Sequence, residues 1–130
     1  MKALFFDLDG TLIDINSREV EVIRKTLNHF GLRVSKTRVK RLCSQEPSYM
    51  DVYRKLGFEP NDDALQYWTS VFVKHYRLSR VRKGVKSTLK ALAKRHAILC
   101  VTSRETVEEV IRELEFHGVD RLFDHVVTRD

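Results

Sequence analysis

The sequence predicts an α/β fold in which a helical subdomain interrupts a core of parallel βαβ units. Residues 2–6 (KALFF) and 97–101 (AILCV) are short apolar runs, typical of strands that are buried on both faces. From residue 85 onward, helical spacing alternates with such runs, which is the pattern of parallel βαβ units. Residues 15–80 have helical spacing and separate the first strand from this region.

Composition places the chain among folded globular proteins. Of its 130 residues, 42% are hydrophobic and 32% are charged, which argues against a disordered tail. No run reaches the roughly 18 apolar residues that a membrane span needs, so we expect no membrane partner. The two cysteines, Cys43 and Cys100, support neither a disulfide framework nor a zinc ribbon, and they favour a reducing cytoplasm.

Four helices are expected in the inserted region, each with a polar residue that can cap its N-terminal end. The candidate caps are Ser17, Ser35, Ser48 and Asn61. Trp68 lies on the apolar stripe of the fourth helix, so we interpret it as a core residue rather than a platform for substrate.

The second part of the core follows in the order helix, strand, helix, strand. We expect a helix over residues 85–94 and then the strand at residues 97–101. Thr102 and Ser103 are predicted to open the next helix. A short third strand is expected at residues 123–127.

The segment after the first strand, residues 7–12 (DLDGTL), has the strongest chemical signal. Alternate positions of an extended chain point to one side, so Asp7 and Asp9 are expected to converge past the carboxyl end of a buried strand. Open α/β sheets bind ligands at that edge. The two carboxylates repel each other, and a bound divalent cation would relieve that repulsion. Mg²⁺ is the expected cation because it prefers hard oxygen ligands. One carboxylate can then attack an electrophile while the other transfers a proton.

Two local alternatives compete with this interpretation. The pair Asp9-Gly10 is a strong turn signal for a β-hairpin, but residues 12–15 soon give way to helical spacing.

At the second strand, Thr102 offers a hydroxyl for an anion beside the N–H groups of a helix start. Thr102 and Glu105 also fit a capping box, and the residues alone leave both roles open.

Charge is distributed unevenly along the chain. Residues 15–83 contain 15 Lys or Arg and 7 Asp or Glu, a net charge of +8. A basic region suits anionic ligands, although a solvated surface is the simpler interpretation. We find no recognition helix with interleaved base-reading residues, so nucleic acid is not the expected partner. The histidines have no metal-ligand spacing and are expected at the surface or its boundary: His29, His75, His96, His117 and His125.

The motif DLDGTL, directly after an N-terminal strand, resembles the first motif of the haloacid dehalogenase superfamily of phosphohydrolases. The resemblance extends over the whole chain and is closest to the phosphoglycolate-phosphatase-like branch. It implies a doubly wound parallel-sheet α/β core at residues 1–14 and 81–130, with an inserted helical cap at residues 15–80. Residues 101–103 resemble the second motif of the family.

The resemblance also implies a role for each site residue. Asp7 would be the nucleophile that forms an aspartyl-phosphate, and Asp9 would be the general acid and base. The Asp7 carboxylate and the Asp9 carbonyl would bind Mg²⁺, and Thr102 would hold a phosphoryl oxygen. Gly10 and the Ser103 N–H are further candidates for binding the same phosphoryl group. An acid at position 9 favours phosphoryl transfer over dehalogenation. The expected function is hydrolysis of a small phosphorylated metabolite.

The family pattern is not completed within this sequence. The lysine and the further metal-binding acids of the family have no counterpart before the end at Asp130. The strands that would flank residues 4–6 are also missing, so this apolar strand would become an exposed edge. We therefore expect a fragment, a chain completed by another chain, or self-association through that edge. The alternative function is a non-catalytic or truncated module that binds an anion or a partner chain.

Overall fold

A computed structural model of the chain describes residues 2–95 and 97–129. The predictions made for His96 and for the chain end at Asp130 lie outside the described residues. Two compact units are present, Met1–Ile15 with Ser79–Asp130, here called the α/β unit, and Asn16–Leu78, here called the helical unit. None of the helices in this described part is long and apolar enough to cross a bilayer.

The elements are numbered in chain order. The strands are β1 (Ala3–Asp7), β2 (Ile13–Asp14), β3 (Arg80–Val81), β4 (Ile98–Thr102) and β5 (His125–Val127). The helices are α1 (Asn16–His29), α2 (Lys36–Gln45), α3 (Tyr49–Lys55), α4 (Asp62–Lys74), α5 (Val85–Lys94) and α6 (Val107–His117). Short 3-10 helices occupy Tyr76–Leu78 and Asp120–Leu122.

A parallel three-stranded sheet organises the α/β unit. Its order is β1-β4-β5, and both pairings are parallel. Helix α5 connects β1 to β4 after the insertion, and α6 connects β4 to β5. These crossovers confirm the predicted α/β class.

The core of the α/β unit lies where α6 packs on the sheet. Val110 and Leu114 of α6 join Val101 of β4 and Leu8 in one buried cluster. The apolar spacing of α6 places these two residues one helical turn apart on the same face. The cluster therefore holds the end of β1 close to the middle of the sheet.

Strand β1 is covered on one face only, so the prediction of burial on both faces is wrong. Exposure alternates along the strand, and the Phe5 side chain is 64% exposed. Phe6, on the opposite face, packs against the buried cluster. No strand pairs with the outer edge of β1 within residues 2–95 and 97–129. The apolar strand β1 thus has one unpaired edge and one exposed face, because the described chain packs core side chains against only one side of it.

A two-stranded antiparallel ribbon was not anticipated from the sequence. Ile13 pairs with Val81, and Asp14 pairs with Arg80. Two residues per strand are too few to produce an alternating pattern. Because the chain after Gly10 pairs with residues 80–81 rather than folding back along β1, the structure excludes the hairpin interpretation.

The helix caps of the helical unit were mostly predicted correctly. The side chains of Ser35, Ser48 and Asn61 each accept a hydrogen bond from a backbone N–H in the first turn of their helix. Ser17 was predicted as a cap but lies inside α1, which begins at Asn16. Trp68 packs against the buried core of this unit, which confirms its interpretation as a core residue.

Two polar groups are built into the interior of the helical unit. Arg18 is 1% exposed, its Nε donates to the Phe72 carbonyl at 2.8 Å, and its guanidinium lies 3.7 Å from the centre of the Phe72 ring. This arginine joins α1 to α4 by a hydrogen bond and a cation–π contact. Burial raises the pKa of Glu19. Burial also raises the pKa of the Cys43 thiol to about 11, and the negative charge of Glu19 adds to this rise.

His117 is buried, so its expected position at the surface or its boundary is wrong. Its Nε2 lies 3.1 Å from the Ser79 hydroxyl, which donates to Glu113 at 3.2 Å. Ser79 and Glu113 are buried together with His117. Ser79 lies immediately before β3, so this cluster ties that strand to α6 and satisfies polar groups that would be costly to bury alone.

The packing of α6 predicts unequal costs for two truncations on the same helix. Leu114 is 1% exposed, whereas Ile111 is 39% exposed. We expect Leu114→Ala to lower the free energy of unfolding by about 2–5 kcal/mol, because it leaves a cavity in the core. Ile111→Ala should cost about 1 kcal/mol or less, because little apolar area is lost. Urea unfolding followed by circular dichroism measures both, and equal costs would contradict this description of the core.

Candidate active site

The nucleophile candidate lies at the carboxyl edge of the sheet. Asp7 is the last residue of β1, and it stands opposite Thr102, the last residue of β4, in the parallel register. The Leu8 N–H donates to the Thr102 carbonyl at 3.2 Å and extends this pairing by one step. Asp7 is exposed, so its carboxylate is open to a ligand. The structure therefore brings Asp7 and Thr102 together at the edge where open α/β sheets bind ligands.

The loop after β1 curls around the carbonyl of Leu8. This carbonyl accepts hydrogen bonds from the N–H groups of Thr11, Leu12 and Ile13 at 3.3, 3.0 and 3.1 Å. The curl returns Thr11 to Asp7, and the Thr11 hydroxyl donates to Asp7 Oδ2 at 3.0 Å. Thr11 was not among the predicted site residues, although it lies within the motif. Its hydroxyl orients the Asp7 carboxylate.

Asp9 lies on the same curl, two residues after Asp7. Leu8 between them is 1% exposed, and Asp9 is half-buried. The chain is no longer a regular strand at this point, because β1 ends at Asp7. The convergence of the two carboxylates stays a prediction of the sequence pattern.

Gly10 has a conformational reason for being glycine. Its φ is +79°, in the left-handed region that glycine adopts without strain. Its N–H donates to the Ile13 carbonyl at 2.8 Å, and its carbonyl accepts from Arg82 Nη2 at 3.1 Å. A phosphate-binding role for Gly10 stays a prediction.

Arg82 was missed by the sequence analysis. It follows β3, and its N–H donates to the Leu12 carbonyl at 3.0 Å while its guanidinium reaches the Gly10 carbonyl. These contacts place a permanent positive charge beside the motif loop. No sequence signal marks Arg82, because its position depends on the short pairing of β2 with β3.

Thr102 and Ser103 make hydrogen bonds within the protein, and their phosphate-binding roles stay a prediction. The Thr102 hydroxyl donates to the Phe6 carbonyl at 3.3 Å. The Ser103 N–H, predicted to bind phosphate, donates to the Val127 carbonyl at 3.1 Å and so belongs to the sheet. The Ser103 hydroxyl accepts from the N–H of Glu105 at 3.1 Å. Ser103 therefore shapes the loop after β4, and its backbone N–H is engaged within the protein.

The predicted capping box at Thr102 and Glu105 is wrong. Helix α6 begins four residues later, where Thr106 and Glu109 form the reciprocal capping box. Both pairs have the Thr-x-x-Glu spacing, and the second is the one used because Thr102 remains paired in β4. Thr102 is consequently not the residue at the start of the helix.

The oxygen atoms at the motif are of the chemical kind that binds Mg²⁺, but the described residues supply too few of them for a complete metal site. Carboxylate and carbonyl oxygens are the ligands this ion prefers, and Asp7 supplies an exposed carboxylate at the motif. Thr11 is the only hydrogen-bond donor to that carboxylate within the described chain, which leaves Oδ1 available. The described residues contain no group of three or more His, Cys, Asp or Glu that could hold a metal. The resemblance implies that the Asp7 carboxylate and the Asp9 carbonyl would bind the ion, and this assignment stays a prediction.

Comparison with protein families gives one match over nearly the whole chain. The family of haloacid dehalogenase-like hydrolases matches residues 4–130. Among curated proteins, pyrophosphatase PpaX of Listeria monocytogenes serotype 4a is 29% identical over 128 residues, which is 98% of this chain and 59% of the relative. Pyrophosphatase PpaX of Bacillus pumilus is also 29% identical, over 100% of this chain and 60% of the relative. The chain thus spans about six-tenths of the length of these relatives.

Solved structures show the same architecture. A predicted phosphoglycolate phosphatase from Haemophilus somnus superposes with a TM-score of 0.68 at 26% identity, over 98% of this chain and 62% of that chain. A predicted phosphatase from Clostridium acetobutylicum has a TM-score of 0.74 at 22% identity, over 98% of this chain and 60% of that chain. The second match is evidence for the fold alone.

The position of the capping box leads to a stability prediction. Thr106→Ala should lower the free energy of unfolding by about 1 kcal/mol, because a first-turn N–H of α6 loses its side-chain acceptor. Thr37→Ala, in the exposed first turn of α2, is the matched control and should change stability by about 0.5 kcal/mol or less. Urea unfolding measures both. If the two variants were equally stable, Thr106 would not be the cap.

Proposed function

The chain belongs to the haloacid dehalogenase-like hydrolase family, and we propose that it carries the nucleophilic part of a Mg²⁺-dependent phosphomonoesterase. The observation that carries this proposal is the placement of Asp7. It is an exposed carboxylate at the carboxyl edge of the sheet, oriented by Thr11 and set opposite Thr102. Such a carboxylate is suited to attack an electrophile bound at that edge.

The proposed reaction has two steps. An oxygen of the Asp7 carboxylate attacks the phosphorus, and the bond from phosphorus to the leaving oxygen breaks while Asp9 gives that oxygen a proton. Water then attacks the aspartyl-phosphate, Asp9 accepts the proton, and phosphate leaves as the Asp7 carboxylate is restored. When bound, Mg²⁺ would offset the negative charge on the phosphoryl group.

The proposed substrate is a small phosphorylated metabolite. Relatives are named as a pyrophosphatase and as a predicted phosphoglycolate phosphatase, so phosphate esters and anhydrides of small size are the class to test. The positive net charge of residues 15–83 suits such anions. Both cysteines are free thiols, in keeping with the cytoplasmic location that we include in the proposal.

We further propose that additional polypeptide at the free edge of β1 completes the site. Three observations support this: β1 is an edge strand, Phe5 on it is largely exposed, and the described donor set for Mg²⁺ is incomplete. An apolar edge strand pairs readily with another chain. For the 130-residue chain alone, a second copy is the partner available in solution.

The incomplete donor set also favours one alternative function. A module with this fold and only two motif carboxylates could bind an anion or a partner chain without turnover. The same assay separates the two functions, because the alternative predicts folded protein without hydrolysis.

Phosphatase activity should depend on Asp7 and on Mg²⁺. We expect hydrolysis of an aryl phosphate in the presence of Mg²⁺, its loss after chelation, and a decrease of at least about 10³-fold in Asp7→Asn, because the nucleophile is removed. Asp62→Asn, an exposed carboxylate in the helical unit, is the matched control and should keep full activity. Absence of turnover from protein shown to be folded would contradict the proposal for this chain and favour the alternative.

Self-association of the isolated chain should depend on Phe5. We expect light scattering after gel filtration to give a mass above 15.3 kDa that rises with concentration. Phe5→Glu should shift the protein toward monomer, because it removes exposed apolar area and places like charges in the contact. Phe116→Glu, an equally apolar exposed position on α6, serves as the control and should leave the mass unchanged. A monodisperse monomer of the unmodified chain at high concentration would refute the proposed contact.

A further inference from the structure

We infer that the helical unit contains a binding site for a small polyanion, in a basic groove formed by α1, α2 and the C-terminal end of α4. The groove consists of two adjoining cavities of about 330 and 400 Å³. Ser17 and Lys36 line both, so the cavities meet at these two residues. All the residues that line the groove belong to the helical unit, and none of them is a residue proposed for hydrolysis.

Positive charge in the groove is largely uncompensated. Lys36 and Lys40 line the first cavity, and Lys36, Lys74 and Arg77 line the second. The three lysines form no ion pair within the described part of the chain. The carboxylate in the groove belongs to Glu21, which pairs with Arg24 at 3.3 Å. The three lysines thus add positive charge without an ion-pair partner among the described residues, whereas Glu21 already has a partner and the nearby Glu19 carboxylate acts on Cys43.

The remaining lining adds hydrogen-bonding groups and no further negative charge. The first cavity contains the hydroxyls of Ser17 and Ser44, and Ser17 lies in the first turn of α1, the positive end of that helix. Burial keeps the pKa of Cys43 well above neutral, at about 11, so this thiol remains uncharged. A donor-rich cavity with fixed positive charge favours oxyanions over neutral ligands.

The shape of the groove indicates the class of ligand. Two cavities that meet at Lys36 suit a molecule with two anionic groups, one in each cavity, with Lys36 between them. Among the described residues that line the groove, His75 has the only ring, so they provide no series of aromatic platforms on which successive bases could stack. We therefore assign the groove to small molecules with two or more phosphate or carboxylate groups, rather than to nucleic acid.

The test measures binding of inorganic pyrophosphate to the full chain with EDTA present, so that no divalent cation assists binding at Asp7. Backbone amide shifts in nitrogen-labelled protein locate the site. We expect saturable shifts confined to residues 16–21, 36–44 and 74–78. Lys36→Gln and Lys40→Gln should each weaken binding about tenfold, because each removes one charge-assisted contact. Added KCl should weaken binding further.

Two matched variants separate this site from the motif. Lys90→Gln, an exposed lysine of α5, and Asp7→Asn should both leave the affinity unchanged. Equal affinity in Lys36→Gln and the unmodified chain, shifts centred on residues 7–11, or no saturation would each overturn the proposal. Tighter binding of a single-stranded oligonucleotide at equal phosphate concentration, with the same residues shifted, would overturn the small-ligand assignment. Circular dichroism checks that each variant is folded.

Discussion

The parallel pairing of β1 with β4 is the interaction on which the candidate active site depends. Its register places Asp7 opposite Thr102, and the bond from the Leu8 N–H to the Thr102 carbonyl continues it into the motif loop. A one-residue slip would turn every side chain of β1 to the other face. Phe6 would then leave the core, and Asp7 would leave the edge at which a ligand is reachable. The same packing that stabilises the sheet therefore orients Asp7, the proposed nucleophile.

The motif loop shows how backbone groups position Asp7, the proposed nucleophile. The Leu8 carbonyl accepts from three successive N–H groups, and this curl carries the Thr11 hydroxyl back to Asp7. Arg82 supports the far side of the curl through the Gly10 carbonyl. Residues that are distant in the chain thus hold one short loop in place, which is the arrangement expected where a rigid scaffold supports a reactive group.

The helical unit combines a separate apolar core with a basic exterior. Aromatic rings fill its interior, with Trp68 stacked 4.5 Å from Tyr49 and 4.7 Å from Phe72. Because the helices of this unit enclose the core among themselves, the lysines of the unit are not needed for packing and remain at the surface. Three of these lysines, Lys36, Lys40 and Lys74, line the same groove, a grouping that composition alone could not supply.

Local chemistry determined much of this structure from the sequence alone. The caps at Ser35, Ser48 and Asn61 were predictable because each depends on a few neighbouring residues, and the DLDGTL motif indicated the site for the same reason. The free edge of β1 was expected from the sequence, but only the tertiary structure decided that Phe5 lies on an uncovered face and that Arg82 contacts the motif loop, since both depend on how the strands pair and pack. Contacts between residues far apart in the chain leave no periodic signal in it, and the fold alone reveals them.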